Sequence, residues 1–356
     1  MLTGALSQWL QSPHLSQCLL LALAFALGCA HLRGGEGPQG WHYTVEPSAA
    51  LDRLDIEVCF RDRIPARLVA DEDGAADYLL SATAGGRALK IDGETGEIVA
   101  GDARGKCVRY AVDLARMADE VVERHMVRIG GVVATSPHLW LWRPEKLFYE
   151  SEVTLSFELP ADMGASVPWP RVAADGRRPR HRLSSTAFRW ASQVVLGDFH
   201  ALRFTAAGSE FEVAVMDLPR EISDEGLRQW LDVAATTVAR LYDGRFPVPH
   251  VQVIVVPYPG GGAPVYFGMA LRGGGPAVQL LVSSEAKDAQ FPGEWVAIHE
   301  FLHHGMPFVQ HQDAWLSEGF VTYYTEVLTA RAGFQDERAA WGALLAGFGR
   351  GARSGT

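Results

Sequence analysis

The sequence predicts an α+β protein: a β-sandwich-like N-terminal domain, residues 41–188, followed by a domain of mixed helices and strands, residues 189–356. Short runs of strand-forming residues, separated by turn residues, dominate the first part. Residues 152–159 alternate between polar and apolar side chains, which gives a strand one buried face. A sustained helical spacing of apolar residues follows over residues 224–242. The 356 residues are sufficient for two such domains.

The predicted strands of the N-terminal part are short and bounded by turn chemistry. Residues 92–96 have the sequence Asp-Gly-Glu-Thr-Gly, which is typical of a tight turn between strands. The strands are predicted at residues 41–46, 54–60, 88–91, 97–99, 107–112 and 152–159.

The second part alternates strands with helices. Glycine-rich and proline-rich segments at residues 257–262 and 273–276 predict loops. Strands are predicted at residues 211–215, 251–256, 265–271 and 278–282, and helices at 224–242, 294–304 and 314–330.

The N-terminus carries a short apolar segment of ten residues, 19–28, which is too short to span a membrane as a helix. Its length is typical of a signal peptide, and Ala26-Leu27-Gly28-Cys29 resembles a bacterial lipobox. We expect residues 1–28 to be removed, Cys29 to be lipidated, and residues 29–40 to form a tether. The protein would then be exported and anchored to a membrane of the bacterial cell envelope. The alternative is a buried N-terminal helix.

Export would decide the oxidation state of the two remaining cysteines, Cys59 and Cys107. In an oxidising compartment, a single pair of cysteines favours a disulfide. If the chain stayed in a reducing compartment, both residues would be buried thiols.

The charge balance excludes one class of partner. Thirty-two basic residues against 42 acidic ones give a net charge of −10. Because phosphate backbones are bound by clustered positive charge, we expect no nucleic-acid partner.

The residues from His299 to His303 form an H-E-x-x-H motif in a predicted helix. Residues four apart lie on one helix face, so His299 and His303 can reach the same Zn²⁺. Glu300 lies about 100° around the helix and can approach a water molecule without binding the metal. The motif therefore predicts one zinc ion, with Glu300 as a general base.

A second helix supplies a third candidate ligand. Glu318 follows a helix break, and the neighbouring Gly319 is expected to permit close approach of the two helices. Two histidines and one glutamate are an established ligand set of zinc hydrolases, in which water occupies the fourth position. In the alternative interpretation, the histidines are ordinary helix residues beside a packed core.

His299-Glu300-x-x-His303 followed by Trp-Leu-Ser-Glu-Gly-Phe-x-x-Tyr-Tyr at 315–324 resembles the gluzincin metallopeptidases, particularly aminopeptidase N and glycyl aminopeptidase. The resemblance implies a thermolysin-like catalytic domain at residues 189–356 that hydrolyses peptides, with zinc bound by His299, His303 and Glu318. It also implies more helix beyond Gly351.

The resemblance places Gly268, Met269 and Ala270 on the substrate-binding strand. Aminopeptidase N has a glutamate there that binds the amino terminus of the substrate, whereas this chain has Ala270-Leu271. We therefore expect peptides with a blocked amino terminus to be tolerated; the alternative is that another acidic residue binds the amino terminus. Arg272 either binds a substrate carboxylate or begins a turn. A second functional hypothesis is a non-catalytic lipoprotein that contains zinc and binds peptides.

Overall fold

The computed structural model describes residues 40–354, except 102, 122–124, 148–149, 173–178 and 218. The predicted signal peptide, the lipidation site Cys29 and the tether up to residue 39 lie outside the described residues. Within the described part of the chain, no helix is both long enough and apolar enough to cross a membrane. The fold is α+β, as the sequence predicts.

The N-terminal part consists of sixteen short strands and one α-helix in the described residues. The helix is α1 (Leu114–Glu120). The strands are β1 (Gly40–Pro47), β2 (Arg53–Phe60), β3 (Arg67–Val69), β4 (Leu79–Ala84), β5 (Arg87–Ala88), β6 (Lys90–Ile91), β7 (Ile98–Val99), β8 (Cys107–Asp113), β9 (Met126–Ile129), β10 (Val132–Thr135), β11 (Arg143–Pro144), β12 (Glu152–Phe157), β13 (Gly164–Ser166), β14 (Arg171–Val172), β15 (Arg180–Leu183) and β16 (Val194–Gly197).

These strands form three sheets. The largest has the order β14-β15-β12-β1-β2-β8-β4-β5, and the two smaller sheets have the orders β13-β16-β10-β9 and β11-β3-β7-β6. All pairings are antiparallel except that of β1 with β12. The predicted strand at 88–91 is divided between two sheets, because β5 pairs with β4 whereas β6 pairs with β7.

The C-terminal part is one mixed sheet with four helices in the described residues. The strands are β17 (His200–Ala206), β18 (Ser209–Val215), β19 (His250–Tyr258), β20 (Val265–Leu271) and β21 (Ala277–Ser283). The helices are α2 (Asp224–Ala239), α3 (Val296–His303), α4 (Ala314–Ala332) and α5 (Glu337–Ser354). The sheet order is β17-β18-β19-β21-β20, and β20 is an antiparallel edge strand. Helix α5 was not predicted.

The central strands are buried on both faces, since their side chains alternate between two cores. Val253 and Val255 of β19 belong to the core that includes the helices. Ile254 and Val256 pack on the opposite side with Val132 and Val195 of the small β13-β16-β10-β9 sheet. The mixed sheet is therefore covered by helices on one face and by the N-terminal part on the other.

The two parts of the chain are also joined by hydrogen bonds. Trp169 Nε1 donates to the carbonyl of Gly273 at 3.0 Å. Gln252 Nε2 donates to Ser166 Oγ at the same distance. Strand β16 completes a sheet of the N-terminal part, and the chain then enters β17. The domain boundary near residue 188 stays a prediction.

Candidate active site

Helix α3 lies beside edge strand β20 and carries the two predicted histidine ligands. The helix repeat places His299 and His303 one turn apart on the same face, with ring centroids 5.1 Å apart. Both side chains are about nine-tenths buried, with exposed fractions of 13% and 11%. Both histidines therefore reach the cleft from the same helix face.

Glu318 of α4 completes the group from the opposite side. Its Oε2 lies 3.3 Å from His299 Nε2, and its Oε1 lies 3.5 Å from His303 Nε2. Hydrogen bonds from the two histidines hold the pKa of Glu318 well below its usual value. The carboxylate is therefore ionised, as a metal ligand must be.

The spacing of these three side chains fits zinc. Their ligand atoms all lie within 4.8 Å of one another. Two atoms that each lie 2.0–2.1 Å from a tetrahedral zinc ion are separated by about 3.3 Å, close to the separations between the Glu318 oxygens and the histidine nitrogens. The donors are two imidazoles and one carboxylate, which is a known catalytic set.

Glu300 lies in the same cleft, and it is 8% exposed. Burial raises the pKa of Glu300 to about 7, against a smaller opposing effect of His299 and of the backbone N–H of Ala270. A carboxyl group with such a pKa can both accept and release a proton near neutral pH.

Thr325 extends the site behind His299. Its Oγ1 donates to the carbonyl of Val321 at 2.8 Å and lies 3.5 Å from His299 Nδ1. Since its proton is directed to Val321, the hydroxyl oxygen can accept a hydrogen bond from Nδ1–H, and Nε2 is then the nitrogen that a metal would bind in place of its contact with Glu318. The helical period of α4 already places Thr325 on the face of Glu318.

Strand β20 forms one wall of the cleft, and Gly268, Met269 and Ala270 are among the residues that line it. A Cβ atom on Gly268 would lie 2.5 Å from Glu300 Cγ and 2.7 Å from Val296 Cγ1, so only glycine permits this approach. The cleft has a volume of about 880 Å³. It is large enough for a peptide segment.

The loop after α3 forms another wall. Phe308 lines the cleft and stacks on Trp190 of the N-terminal part, with centroids 4.6 Å apart. Arg272 Nη1 donates to the carbonyl of Met306 at 2.9 Å, and Nη2 donates to that of His303. Sequence reasoning did not identify Trp190 or Phe308, because nothing local links residues so far apart.

Gly319 does not act as expected. A Cβ atom at this position would meet no atom within 4 Å, so close approach of α3 and α4 does not require glycine there. Glu318 reaches the histidines through its own side chain.

The predicted disulfide is formed outside the cleft. Cys59 and Cys107 face each other on adjacent strands β2 and β8, with Cα atoms 4.0 Å apart. Glu57 lies near them but pairs with Arg109 at 2.7 Å. In the described residues, this is the other group with metal-ligand spacing, and the disulfide occupies its sulfur atoms.

No protein-family model matches the sequence, and no curated protein matches it. Among solved structures, an aminopeptidase N family protein from Idiomarina loihiensis is similar over 84% of this chain and 56% of its own, with a TM-score of 0.61 and 14% identity. The chain has the fold of this protein. This chain matches little more than half of that protein's length.

An M1 zinc metallopeptidase from Deinococcus radiodurans is similar over 86% of this chain and 74% of its own, with a TM-score of 0.49 and 16% identity. A variant of it bound to a Tyr-Ser-Ala substrate gives a TM-score of 0.45 at 15% identity, covering 86% of this chain and 74% of its own.

Proposed function

We propose that the protein is a zinc metallopeptidase with His299, His303 and Glu318 as metal ligands and Glu300 as general base. The observation that carries the proposal is the convergence of the three ligand side chains from α3 and α4 beside a buried glutamate. On this proposal, residues 189–356 form a thermolysin-like catalytic domain behind a β-sandwich-like domain. The similarity of fold to an aminopeptidase N family protein supports it.

Each residue has a defined task in peptide hydrolysis. Zinc, when bound, lowers the pKa of water and polarises the substrate carbonyl. The Glu300 carboxylate removes a proton from the attacking water and then delivers it to the nitrogen of the leaving amine. With zinc in place of the His299–Glu318 hydrogen bond, Thr325 Oγ1 would accept a hydrogen bond from His299 Nδ1–H and so favour the tautomer that binds the metal through Nε2.

Strand β20 positions the substrate. As the edge of its sheet, it offers backbone groups along the cleft, and an extended peptide can pair with them as an added strand. Gly268 keeps this strand close to Glu300, so the peptide bond lies near the base.

The test is hydrolysis of internally quenched peptides by the zinc-loaded protein, compared with the Glu300→Gln variant. A general base contributes roughly 10²–10⁴-fold to the rate, so Glu300→Gln should lose about that much kcat and keep its zinc. Glu294→Gln is a matched control, because Glu294 is also a largely buried carboxyl with a raised pKa, but it accepts hydrogen bonds from backbone N–H groups at the start of α3, such as that of Val296, and does not line the cleft. It should keep its activity.

Two results would reject the proposal. One is a wild-type protein that holds stoichiometric zinc, binds peptides and cleaves none of them, which would favour the non-catalytic peptide-binding lipoprotein. The other is a Glu300→Gln variant as active as wild type. His303→Ala should lose zinc during dialysis against a mild chelator, and retention would refute the ligand assignment.

We also propose export, with Cys29 lipidated and the chain anchored to a cell-envelope membrane. The Cys59–Cys107 disulfide supports an oxidising compartment. Mass spectrometry of the mature N-terminus tests the proposal: an unmodified N-terminus at Met1 would reject it, and a Cys29→Ser variant should leave the membrane fraction.

A further inference from the structure

Few charged side chains line the cleft, and the acidic ones are already used by the proposed chemistry whereas the basic one is not. Among the described residues, the lining carboxylates are Glu300 and Glu318, which the proposed chemistry already uses. The lining side chain with a permanent positive charge is Arg272. No other carboxylate among the lining residues is placed to bind a substrate ammonium group.

Arg272 is half-buried without a counter-ion among the described residues. The structure shows it hydrogen-bonded to two carbonyl groups, those of His303 and Met306. A guanidinium has five N–H donors, so three remain for another partner. A cation in this position gains most from an incoming anion.

The position of Arg272 along the cleft follows from the strand. Gly268 faces Glu300, the N–H of Ala270 contacts the Glu300 carboxylate, and Arg272 comes two residues later in the chain. At about 3.3 Å per residue, Arg272 lies some two residues beyond the reacting centre. Arg272 lines the same cleft as Gly268 and Ala270.

We propose that Arg272 is a specificity-determining residue that binds a negatively charged side chain of the substrate on the amino side of the scissile bond. This rests on the proposed peptidase function. An antiparallel pairing with β20 is the more stable one, and it places the amino side of the peptide at the end of the strand that carries Arg272. A free amino terminus at that end is repelled.

The test uses internally quenched peptides of about eight residues that differ only two positions before the scissile bond, with Glu, Gln or Lys there. A matched set carries the same exchange two positions after the bond, and mass spectrometry locates the cleavage. Wild type should prefer Glu over Gln on the amino side by about tenfold or more in kcat/KM, mainly through KM, as expected for hydrogen bonds to charged groups. On the carboxyl side it should show no preference.

Variants assign the preference to Arg272. Arg272→Gln should bring the Glu/Gln ratio of kcat/KM close to one, and Arg272→Lys should restore part of it. Because this ratio compares two peptides on the same variant, a general disturbance of the loop affects both values of kcat/KM and leaves the ratio unchanged. The matched control is Arg240→Gln, since Arg240 Nη1 also donates to a carbonyl near a helix end, that of Arg331, but does not line the cleft. This control should keep the full preference.

Binding separates this proposal from the peptidase proposal. Fluorescence anisotropy with zinc-loaded Glu300→Gln protein should show that the labelled Glu peptide binds about tenfold more tightly than the Gln peptide. If wild type cleaves both peptides equally, or if Arg272→Gln keeps the preference, the role of Arg272 is wrong while the peptidase function stands. If wild type cleaves nothing, the peptidase proposal fails, and equal binding of the two peptides would then overturn the role of Arg272 as well.

Discussion

Two buried carboxyl groups near helix α3 have similar pKa values and different surroundings. Burial raises the pKa of both Glu294 and Glu300 to about 7. Glu294 precedes the helix and accepts a hydrogen bond from the backbone N–H of Val296 at 2.9 Å, whereas Glu300 faces the cleft. Burial therefore raises the pKa both of a carboxyl group at the start of the helix and of the proposed general base.

Glu294 makes the stability of the protein depend on pH. Its folded-state pKa lies above the unfolded value of 4.5, so between these pH values the folded state binds more protons. The contribution of protonated Glu294 to the free energy of unfolding is fully present below about pH 4.5 and is lost as the pH rises through about 7. We expect Glu294→Gln to be more stable than wild type at pH 8 by on the order of 2–3 kcal/mol, and to match it at pH 4.5.

Urea denaturation at the two pH values measures this difference. An equal difference between Glu294→Gln and wild type at both pH values would show that folding does not raise the pKa of Glu294.

Thr325 should tune the affinity for zinc. Thr325→Val keeps the shape of the side chain but removes the oxygen beside His299 Nδ1, and loss of such an outer partner weakens metal binding by about 10–100-fold. Thr329→Val is the matched control, because Thr329 makes the same type of bond to a carbonyl one turn further along α4. Chelator competition measures both, and equal zinc affinity in the two variants would exclude the role of Thr325.

At the scale of elements, the site depends on how closely strand β20 approaches helix α3. Gly268 has no space for a Cβ atom between Val296 and Glu300. Gly268→Val should displace the strand or Glu300, cost about 1–3 kcal/mol of stability, and lower kcat while zinc is retained. The expected order of activity is wild type, then Gly268→Ala, then Gly268→Val.

Gly319 provides the control on the neighbouring helix. It lies inside α4 with open space around it, so Gly319→Ala should stabilise the protein by about 0.5–1 kcal/mol and leave activity unchanged. A Gly268→Val variant as active and stable as Gly319→Ala would show that the strand does not depend on this contact.

The sequence predicted the elements with strong periodic patterns and missed those defined by distant partners. The strands at 251–256 and 265–271 and the helices that carry His299 and Glu318 were predicted because their patterns are local. Helix α3 is shorter than predicted, beginning at Val296, because Glu294 accepts the hydrogen bond of its first turn. Strands β9, β10 and β16 were missed, since only their pairing defines them.

The candidate site follows the same division. The spacing of His299 and His303 is a property of one helix, and Glu318 could be inferred from the ligand set. The stack of Trp190 on Phe308 and the bonds of Arg272 to two carbonyls arise from tertiary packing, which no local pattern encodes. These two contacts position Phe308 and Arg272 in the walls of the cleft, beside the proposed metal ligands.

At the scale of the whole molecule, the Cys59–Cys107 disulfide ties two adjacent strands of the largest sheet. It closes a loop between residues 48 positions apart, and in the chain-entropy model its loss costs about 4 kcal/mol. We expect the free energy of unfolding of the Cys59→Ala, Cys107→Ala double variant, measured by urea denaturation, to be lower by about this amount. Thiol counting in denatured, exported protein should find neither residue free; two free thiols would contradict the pairing.

The parallel pairing of β1 with β12 has a consequence for the order of folding. Strand β1 lies in the middle of the largest sheet, between β2, which follows it directly, and β12, which ends at residue 157. A growing chain can form the β1–β2 hairpin early, but one edge of β1 stays unpaired until about a hundred more residues have been made. An unpaired edge strand attracts other chains, so fragments ending before residue 152 should aggregate, whereas chains extending past β12 can close the sheet.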